Sequence, residues 1–63
     1  MIRIKDMYVS LSNIKKIEFE GNGNYCLMYI TYFYEEDKPI KVYVDNFGEY
    51  QELADRIMEA VKW

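Results

Sequence analysis

Apolar and polar residues alternate with a period of two along the first half of the chain. Met1–Lys5 follows this alternation, and so do the segment from Met7 to Leu11 and, after a polar interruption at 12–13, the segment Ile14–Glu20. Successive side chains of a β-strand point to opposite faces of a sheet, so this pattern is typical of strands buried on one face. Ser12 and Asn13 favour a turn because their short side chains bond to nearby backbone groups.

A second block of strands follows the sequence Gly21-Asn22-Gly23-Asn24. Asn-Gly tolerates the positive φ that a tight hairpin turn requires, so it predicts a hairpin joining strand 14–20 to strand 25–34. Strand 25–34 is rich in aromatic and β-branched residues, and both of its alternations are apolar. A polar turn over 35–39 then leads to strand 40–44, where Pro39 suits the start of a strand.

The period changes after strand 40–44. Asn46 is a natural N-cap, and Glu49 three residues later completes a pattern similar to a capping box. Apolar residues then recur at helical spacing: Tyr50, Leu53, Ala54, Ile57, Met58 and Val61. The spacing predicts a helix from about 47 to 62, with Trp63 folding back or contacting a partner.

These elements predict a two-layer α+β fold in a single domain spanning 1–63. An antiparallel sheet of three to four strands is followed by one C-terminal amphipathic helix, in the order ββββα. A domain of 63 residues buries only about 60% of the surface that its unfolded chain exposes. We therefore expect it to manage with a small core, to be cross-linked or to pair with another molecule.

One helix covers only one face of a sheet. The aliphatic alternation is expected to pack on the helix: Val9, Leu11, Ile17, Phe19, Cys26, Met28, Ile30, Ile40, Val42 and Val44. The other alternation leaves an apolar and aromatic strip, and exposed strips of this kind mark binding or assembly surfaces. The anchors predicted for this interface are Tyr25, Leu27, Tyr29, Phe33 and Tyr43. In the alternative register, Tyr32 and Tyr34 point outward instead.

Three kinds of partner are considered, of which the third can coexist with the first. The first is a second copy of the chain, held through the outer sheet face or an edge strand. The second is single-stranded nucleic acid, because cations bind phosphates and aromatic rings stack on bases; the residues for this role are Tyr8, Lys16, Tyr29, Lys41 and Tyr43. Acidic residues on the same face would repel phosphates and therefore argue against nucleic acid. The third is a protein with a basic surface, which an acidic inhibitor or regulator would bind through the helix residues Glu49, Glu52, Asp55 and Glu59.

The amino-acid composition limits the kinds of metal and catalytic sites that the chain can form. The chain has no histidine, one cysteine and a net charge of −3, so zinc sites and histidine-based catalysis lose their commonest residue. We expect no enzyme, no metal and no cofactor. Cys26 is interpreted as a small buried residue in a reducing cytoplasm. A signal-peptide pattern is not evident, and the longest uncharged stretch has 14 residues, which is too short to span a bilayer.

The order of strands followed by a helix resembles that of the small dimeric single-stranded-DNA-binding transcriptional coactivators, and Met7-Tyr8-Val9-Ser10 opens a strand in a similar way. The resemblance implies a dimer that binds single-stranded DNA. The acidic charge of this chain departs from that expectation, and no functional residue is carried over. Its segment Ile14-Lys15-Lys16-Ile17 is also similar to segments of many short bacterial and phage proteins.

Overall fold

The computed structural model describes residues 1–61, and the predictions for Lys62 and Trp63 lie outside that range. It confirms the α+β class but divides the strands differently from the prediction. Within residues 1–61, five antiparallel strands form two sheets, rather than three to four strands in one. The elements are β1 (Ile2–Ile4), β2 (Met7–Val9), β3 (Ile14–Gly21), β4 (Cys26–Tyr32), a 3₁₀ turn (Phe33–Glu35), β5 (Ile40–Val44) and α1 (Phe47–Val61).

The main sheet has the order β3-β4-β5, with the long apolar strand β4 in the centre. Phe19, Met28 and Val42 lie side by side in one row across the three strands, and Ile17, Ile30 and Ile40 form the next row. Both rows face the helix, so the predicted inward alternation of β4 is confirmed. Strand β4 ends at Tyr32 instead of continuing to residue 34, because the chain turns into the 3₁₀ segment there.

The first two strands form a separate hairpin that does not join the main sheet. Its register pairs Ile2 with Val9 and Ile4 with Met7, and the turn places Lys5 in the left-handed region at φ 54°. Ile4 and Val9 are completely buried. The hairpin therefore contributes one apolar face to the core while its other face remains in solvent.

The loop between β3 and β4 closes by a different mechanism from the predicted turn. Among residues 1–61 no glycine has a positive φ, so Gly23 does not supply the backbone conformation that the Asn-Gly pattern predicts. Instead, the Asn22 side-chain oxygen accepts bonds from the backbone N–H groups of Asn24 at 2.7 Å and Tyr25 at 3.1 Å. The Asn22 N–H also donates to the Tyr25 carbonyl at 3.0 Å. The side chain thus replaces a tight glycine turn.

The helix begins as the sequence predicts. The Asn46 side-chain oxygen accepts the Glu49 N–H at 2.9 Å, and a Glu49 carboxylate oxygen accepts the Asp45 N–H at 2.9 Å. The arrangement resembles a capping box shifted by one residue: it satisfies the Glu49 N–H, which the first helical turn leaves free, and the Asp45 N–H just before the helix.

The core lies between the helix, the main sheet and the hairpin. Its buried residues are Ile4, Val9, Ile14, Met28, Ile30, Tyr32, Val42, Val44, Leu53 and Ile57. The other predicted inward residues, Leu11, Ile17, Phe19, Cys26 and Ile40, are partly buried and pack against it. Within residues 1–61, no helix has the length and apolar character needed to cross a membrane.

Candidate interaction surface

The outer face of the main sheet is the face turned away from the helix, and its residues follow from the strand register. Leu27 lies between Glu20 and Tyr43, while Tyr29 lies between Glu18 and Lys41. Further along, Thr31 lies opposite Lys16. Directly opposed side chains on one face lie within contact distance, so each of these outward residues of β4 has a charged or aromatic neighbour.

Three tyrosines gather on this face, and we name Tyr25, Tyr29 and Tyr43 the tyrosine surface. The rings of Tyr25 and Tyr43 meet edge to face, with centroids 6.4 Å apart and an interplanar angle of 77°. Tyr25 is 41% exposed and Tyr43 is 68% exposed, whereas Tyr29 is half-buried. Desolvation, followed by the nearby Glu20 carboxylate, raises the pKa of Tyr29 above its usual value. The Tyr29 phenol therefore stays neutral at physiological pH.

The two remaining predicted anchors, Leu27 and Phe33, do not add exposed area to the tyrosine surface. Leu27 is only 5% exposed, although it is on the outer face, so its side chain is already covered by its neighbours and does not reach the surface. Phe33 is 60% exposed, but it belongs to the 3₁₀ turn after β4, where its N–H donates to the Asn13 carbonyl at 2.9 Å. The structure therefore brings Tyr25, Tyr29 and Tyr43 together over Leu27, and it separates Phe33 from them.

A depression of about 490 Å³ borders the tyrosine surface at the loop end of the sheet. It lies between the loop Asn22–Cys26 and the segment Tyr43–Asp45. Tyr25 and Tyr43 line it, together with the polar residues Asn22, Asn24 and Asp45. The depression is shallow, so a flat or convex surface of another molecule fits it better than an enclosed small ligand does.

Charges of both signs surround the tyrosines. Lys16 and Glu18 lie on β3 and form an ion pair with an N···O distance of 3.4 Å. Glu20 lies beyond them on the same strand, and Lys41 lies on β5 opposite Tyr29. The outer face of the sheet therefore carries two lysines and two glutamates, which balance to zero. A phosphate backbone needs an excess of positive charge, and this face does not provide one.

The predicted nucleic-acid residues do not all share this face. Lys16, Tyr29, Lys41 and Tyr43 lie on it, but Tyr8 is on β2, whose only pairing within residues 1–61 is with β1. The prediction that Tyr8 shares one sheet face with the other four residues is therefore wrong. The physical reason is that the hairpin forms its own two-stranded sheet instead of adding strands to the main one.

The acidic helix residues divide into two groups. Glu52, Asp55 and Glu59 are exposed, and their spacing places them along one side of the helix. Glu49 instead pairs with Lys5, whose Nζ lies 2.8 Å from its Oε1. The hydrogen bond from Lys5, and then that from the Asp45 N–H, lower the pKa of Glu49 below its usual value. Glu49 thus fastens the hairpin to the helix and is not free for a partner in the way the other three are.

Sequence reasoning missed two features near this site. Tyr32 points inward, and its hydroxyl donates to the Ser10 carbonyl at 2.7 Å. Lys15 forms an ion pair with Glu36 across the 3₁₀ turn, and this contact lowers the pKa of Glu36. The inward position of Tyr32 was visible in the sequence, because it continues the alternation of Cys26, Met28 and Ile30. The two partner residues were not visible, because they are 22 and 21 positions away in the chain.

The residues that the structure describes contain no group of three or more histidine, cysteine, aspartate or glutamate side chains placed to hold a metal ion. The comparisons with known proteins give no relative: no family model, no curated protein and no solved structure matches this chain.

Proposed function

We propose that this chain is a small, non-enzymatic protein-interaction module of bacterial or phage type that acts as a homodimer in the cytoplasm. One observation carries the proposed role as an interaction module. The main sheet is packed on its inner face by the helix and the hairpin, whereas within residues 1–61 no element is layered on its outer face. That face presents exposed tyrosine rings, and tyrosine is among the residues enriched at protein interfaces.

The balanced charge of the outer face supports a protein partner over a nucleic acid. Lys16 is engaged with Glu18, and the pKa of Tyr29 is raised in part by Glu20, so the acids lie among the groups that would meet phosphates. A second copy of the chain brings the same mixture of signs, which a two-fold axis can arrange in complementary pairs.

A protein with a basic surface is a further partner that this arrangement allows. Glu52, Asp55 and Glu59 lie on the helix, on the opposite side of the molecule from the outer sheet face, and they are exposed. A regulator or inhibitor of a basic protein would use this acidic side, while the sheet is engaged with the second copy. The two contacts are compatible because they use different layers of the fold.

Sedimentation equilibrium over a concentration series tests the homodimer. We expect a reversible monomer–dimer equilibrium. A monomeric mass at the highest concentrations would contradict the proposal. A titration with labelled oligo-dT at low salt tests the nucleic-acid alternative, since electrostatic binding is strongest there. We expect no binding, and saturable binding that weakens with salt would favour the alternative.

A further inference from the structure

Strand β3 is an edge of the main sheet with one free side. Within residues 1–61 its eight residues pair with β4 alone. The other edge strand, β5, differs because the tip of the hairpin lies beside it: residues Ile4–Met7 and Lys41–Tyr43 line a common cleft of about 250 Å³. Unpaired backbone donors and acceptors on an edge strand are a template for another strand. The free side of β3 is therefore the more open of the two edges.

A hydrogen bond in the loop between β3 and β4 indicates which backbone groups of β3 point away from the sheet. The bond from Asn22 N–H to the Tyr25 carbonyl makes these two residues a hydrogen-bonded pair. Bonded and non-bonded pairs alternate along an antiparallel ladder, so Glu20, Glu18 and Lys16 direct their backbone groups toward β4. The intervening residues Ile17 and Phe19 direct their N–H and C=O groups away from the sheet, where a second strand can bond them.

We propose that two copies of this chain pair their β3 strands antiparallel about a two-fold axis at Ile17, which joins the two main sheets into one six-stranded sheet. This inference rests on the proposed function in one respect, namely that the chain forms a homodimer. It specifies how the second copy is bound, and it selects the edge strand over stacking of the outer faces.

Charge complementarity selects the register. With the axis at Ile17, Lys16 of each copy lies opposite Glu18 of the other, so the outer face gains two pairs of opposite charge. Moving the axis to Glu18 pairs Lys16 with Glu20 but places the two Glu18 side chains against each other. Moving it to Phe19 pairs Glu18 with Glu20 twice. Opposite charges directly across a pair of strands stabilise it, and like charges destabilise it.

The free-energy cost of desolvating charged side chains favours pairing of the β3 edge strands over stacking of the outer sheet faces. Stacking two outer faces would bury Lys16, Glu18, Glu20 and Lys41 of each copy, and buried charges cost free energy unless they are fully paired and hydrogen-bonded. Edge pairing leaves these side chains in solvent and satisfies backbone groups that lack a strand partner. It also places two tyrosine surfaces on the same face of one sheet, where both remain available to a further protein.

Charge-reversal variants test the register. Lys16 and Glu18 have side chains that are 51% and 55% exposed, so Lys16→Glu and Glu18→Lys are expected to fold, which circular dichroism checks. Each variant alone replaces two attractive pairs by two repulsive ones, and we expect its dimer dissociation constant to rise about tenfold or more. An equimolar mixture of Lys16→Glu and Glu18→Lys restores both attractive pairs, so we expect the mixture to dimerise as the wild type does in sedimentation equilibrium.

Glu20→Lys is the matched control, because it makes the same charge change on the same strand and face. With the axis at Ile17 it leaves the dimer nearly unchanged, and it rescues Lys16→Glu no better than the wild-type chain does, because either mixture restores only one of the two attractive pairs. Rescue by Glu20→Lys instead of Glu18→Lys would overturn the proposed register. A wild-type dimer that none of these variants weakens, but that Tyr25→Ser with Tyr43→Ser does weaken, would overturn edge pairing and leave the homodimer intact. A monomeric wild type would overturn the homodimer itself.

Discussion

The two sides of strand β4 reach similar burial by different means. Met28 and Ile30 point inward and are fully buried, while Leu27 and Thr31 point outward and are 5% and 4% exposed. The inward pair is covered by a second layer of structure that includes the helix and the hairpin. The outward pair lies among side chains of the adjacent strands and has no second layer above it within residues 1–61. Equal solvent exposure therefore does not imply equal enclosure.

Truncating neighbouring residues of β4 separates these two kinds of burial. Met28→Ala leaves a cavity inside the closed core, and such changes cost about 2–5 kcal/mol of the free energy of unfolding. Leu27→Ala removes apolar area from a site that neighbouring side chains and solvent can fill, so we expect a loss of about 1–2 kcal/mol. Urea unfolding followed by far-ultraviolet circular dichroism measures both values.

A domain of this length commonly has no more than about 3–5 kcal/mol of stability, so Met28→Ala is expected to populate the unfolded state without denaturant. Met28→Leu nearly conserves the volume and is the control that remains measurable, at a cost below about 1.5 kcal/mol. Equal losses for Met28→Ala and Leu27→Ala would show that the outer side is enclosed as tightly as the core. Dimer formation over the outer face would produce that result.

Two tyrosines of β4 sharpen the same comparison through their hydroxyl groups. Tyr32 is 4% exposed, and its hydroxyl donates to the Ser10 carbonyl at 2.7 Å. Tyr32→Phe loses this bond, and we expect the free energy of unfolding to fall by about 1 kcal/mol. Tyr29→Phe on the tyrosine surface is the matched control and is expected to change it by less than about 0.5 kcal/mol.

Alkaline titration gives a second measurement on these tyrosines. Burial raises the pKa of Tyr32 above its ordinary value, as desolvation does for Tyr29. Because the folded-state pKa values are raised, these groups favour the folded state most below the ordinary tyrosine pKa of 10.0, and the contribution is lost as the pH rises through the folded-state values. Tyr32→Phe is expected to remove part of this alkaline loss. A Tyr32→Phe protein with unchanged stability and unchanged alkaline unfolding would show that the Ser10 bond contributes nothing.

The inner layer was predictable from the sequence because its signals are periodic and local. The alternation of Cys26, Met28 and Ile30 identified the inward side of β4, and Asn46 with Glu49 identified the start of the helix. The outer side was less predictable because it depends on tertiary placement. Nothing local indicates that the first hairpin leaves the main sheet, that Phe33 turns out of the strand, or that Leu27 is covered by its neighbours. Asn22 shows the same limit on a small scale, since its side chain takes the role assigned to Gly23.

The attachment of the hairpin to the helix gives the smallest expected effect. Lys5 pairs with Glu49 at 2.8 Å, and Arg56 donates to the Arg3 carbonyl at 3.4 Å. Both contacts attach the hairpin, which helps to cover the inner side of β4, to the helix. Both members of the ion pair are partly exposed, and exposed pairs contribute little to stability. We therefore expect Glu49→Gln to lower the urea midpoint at pH 7 by less than Tyr32→Phe does.

The pH dependence identifies this contribution because its sign is fixed. The pKa of Glu49 is lowered, so its stabilisation is present above the ordinary carboxyl pKa of 4.5 and is lost as the pH falls through the folded-state value. The pKa of Lys5 is raised, mainly by its hydrogen bond to Glu49, so the pair persists up to alkaline pH. Glu49→Gln should therefore lose less stability than the wild type between pH 5 and pH 3, in urea midpoints measured at constant ionic strength.

Glu36→Gln is the control, because Lys15 lowers the pKa of Glu36 in the same way but the pair lies beside the 3₁₀ turn, away from the hairpin. If only Glu36→Gln reduced the loss of stability in acid, the Lys5–Glu49 pair would contribute nothing to holding the hairpin, and its attachment would rest on the buried residues Ile4 and Val9 together with the Arg56 bond to the Arg3 carbonyl.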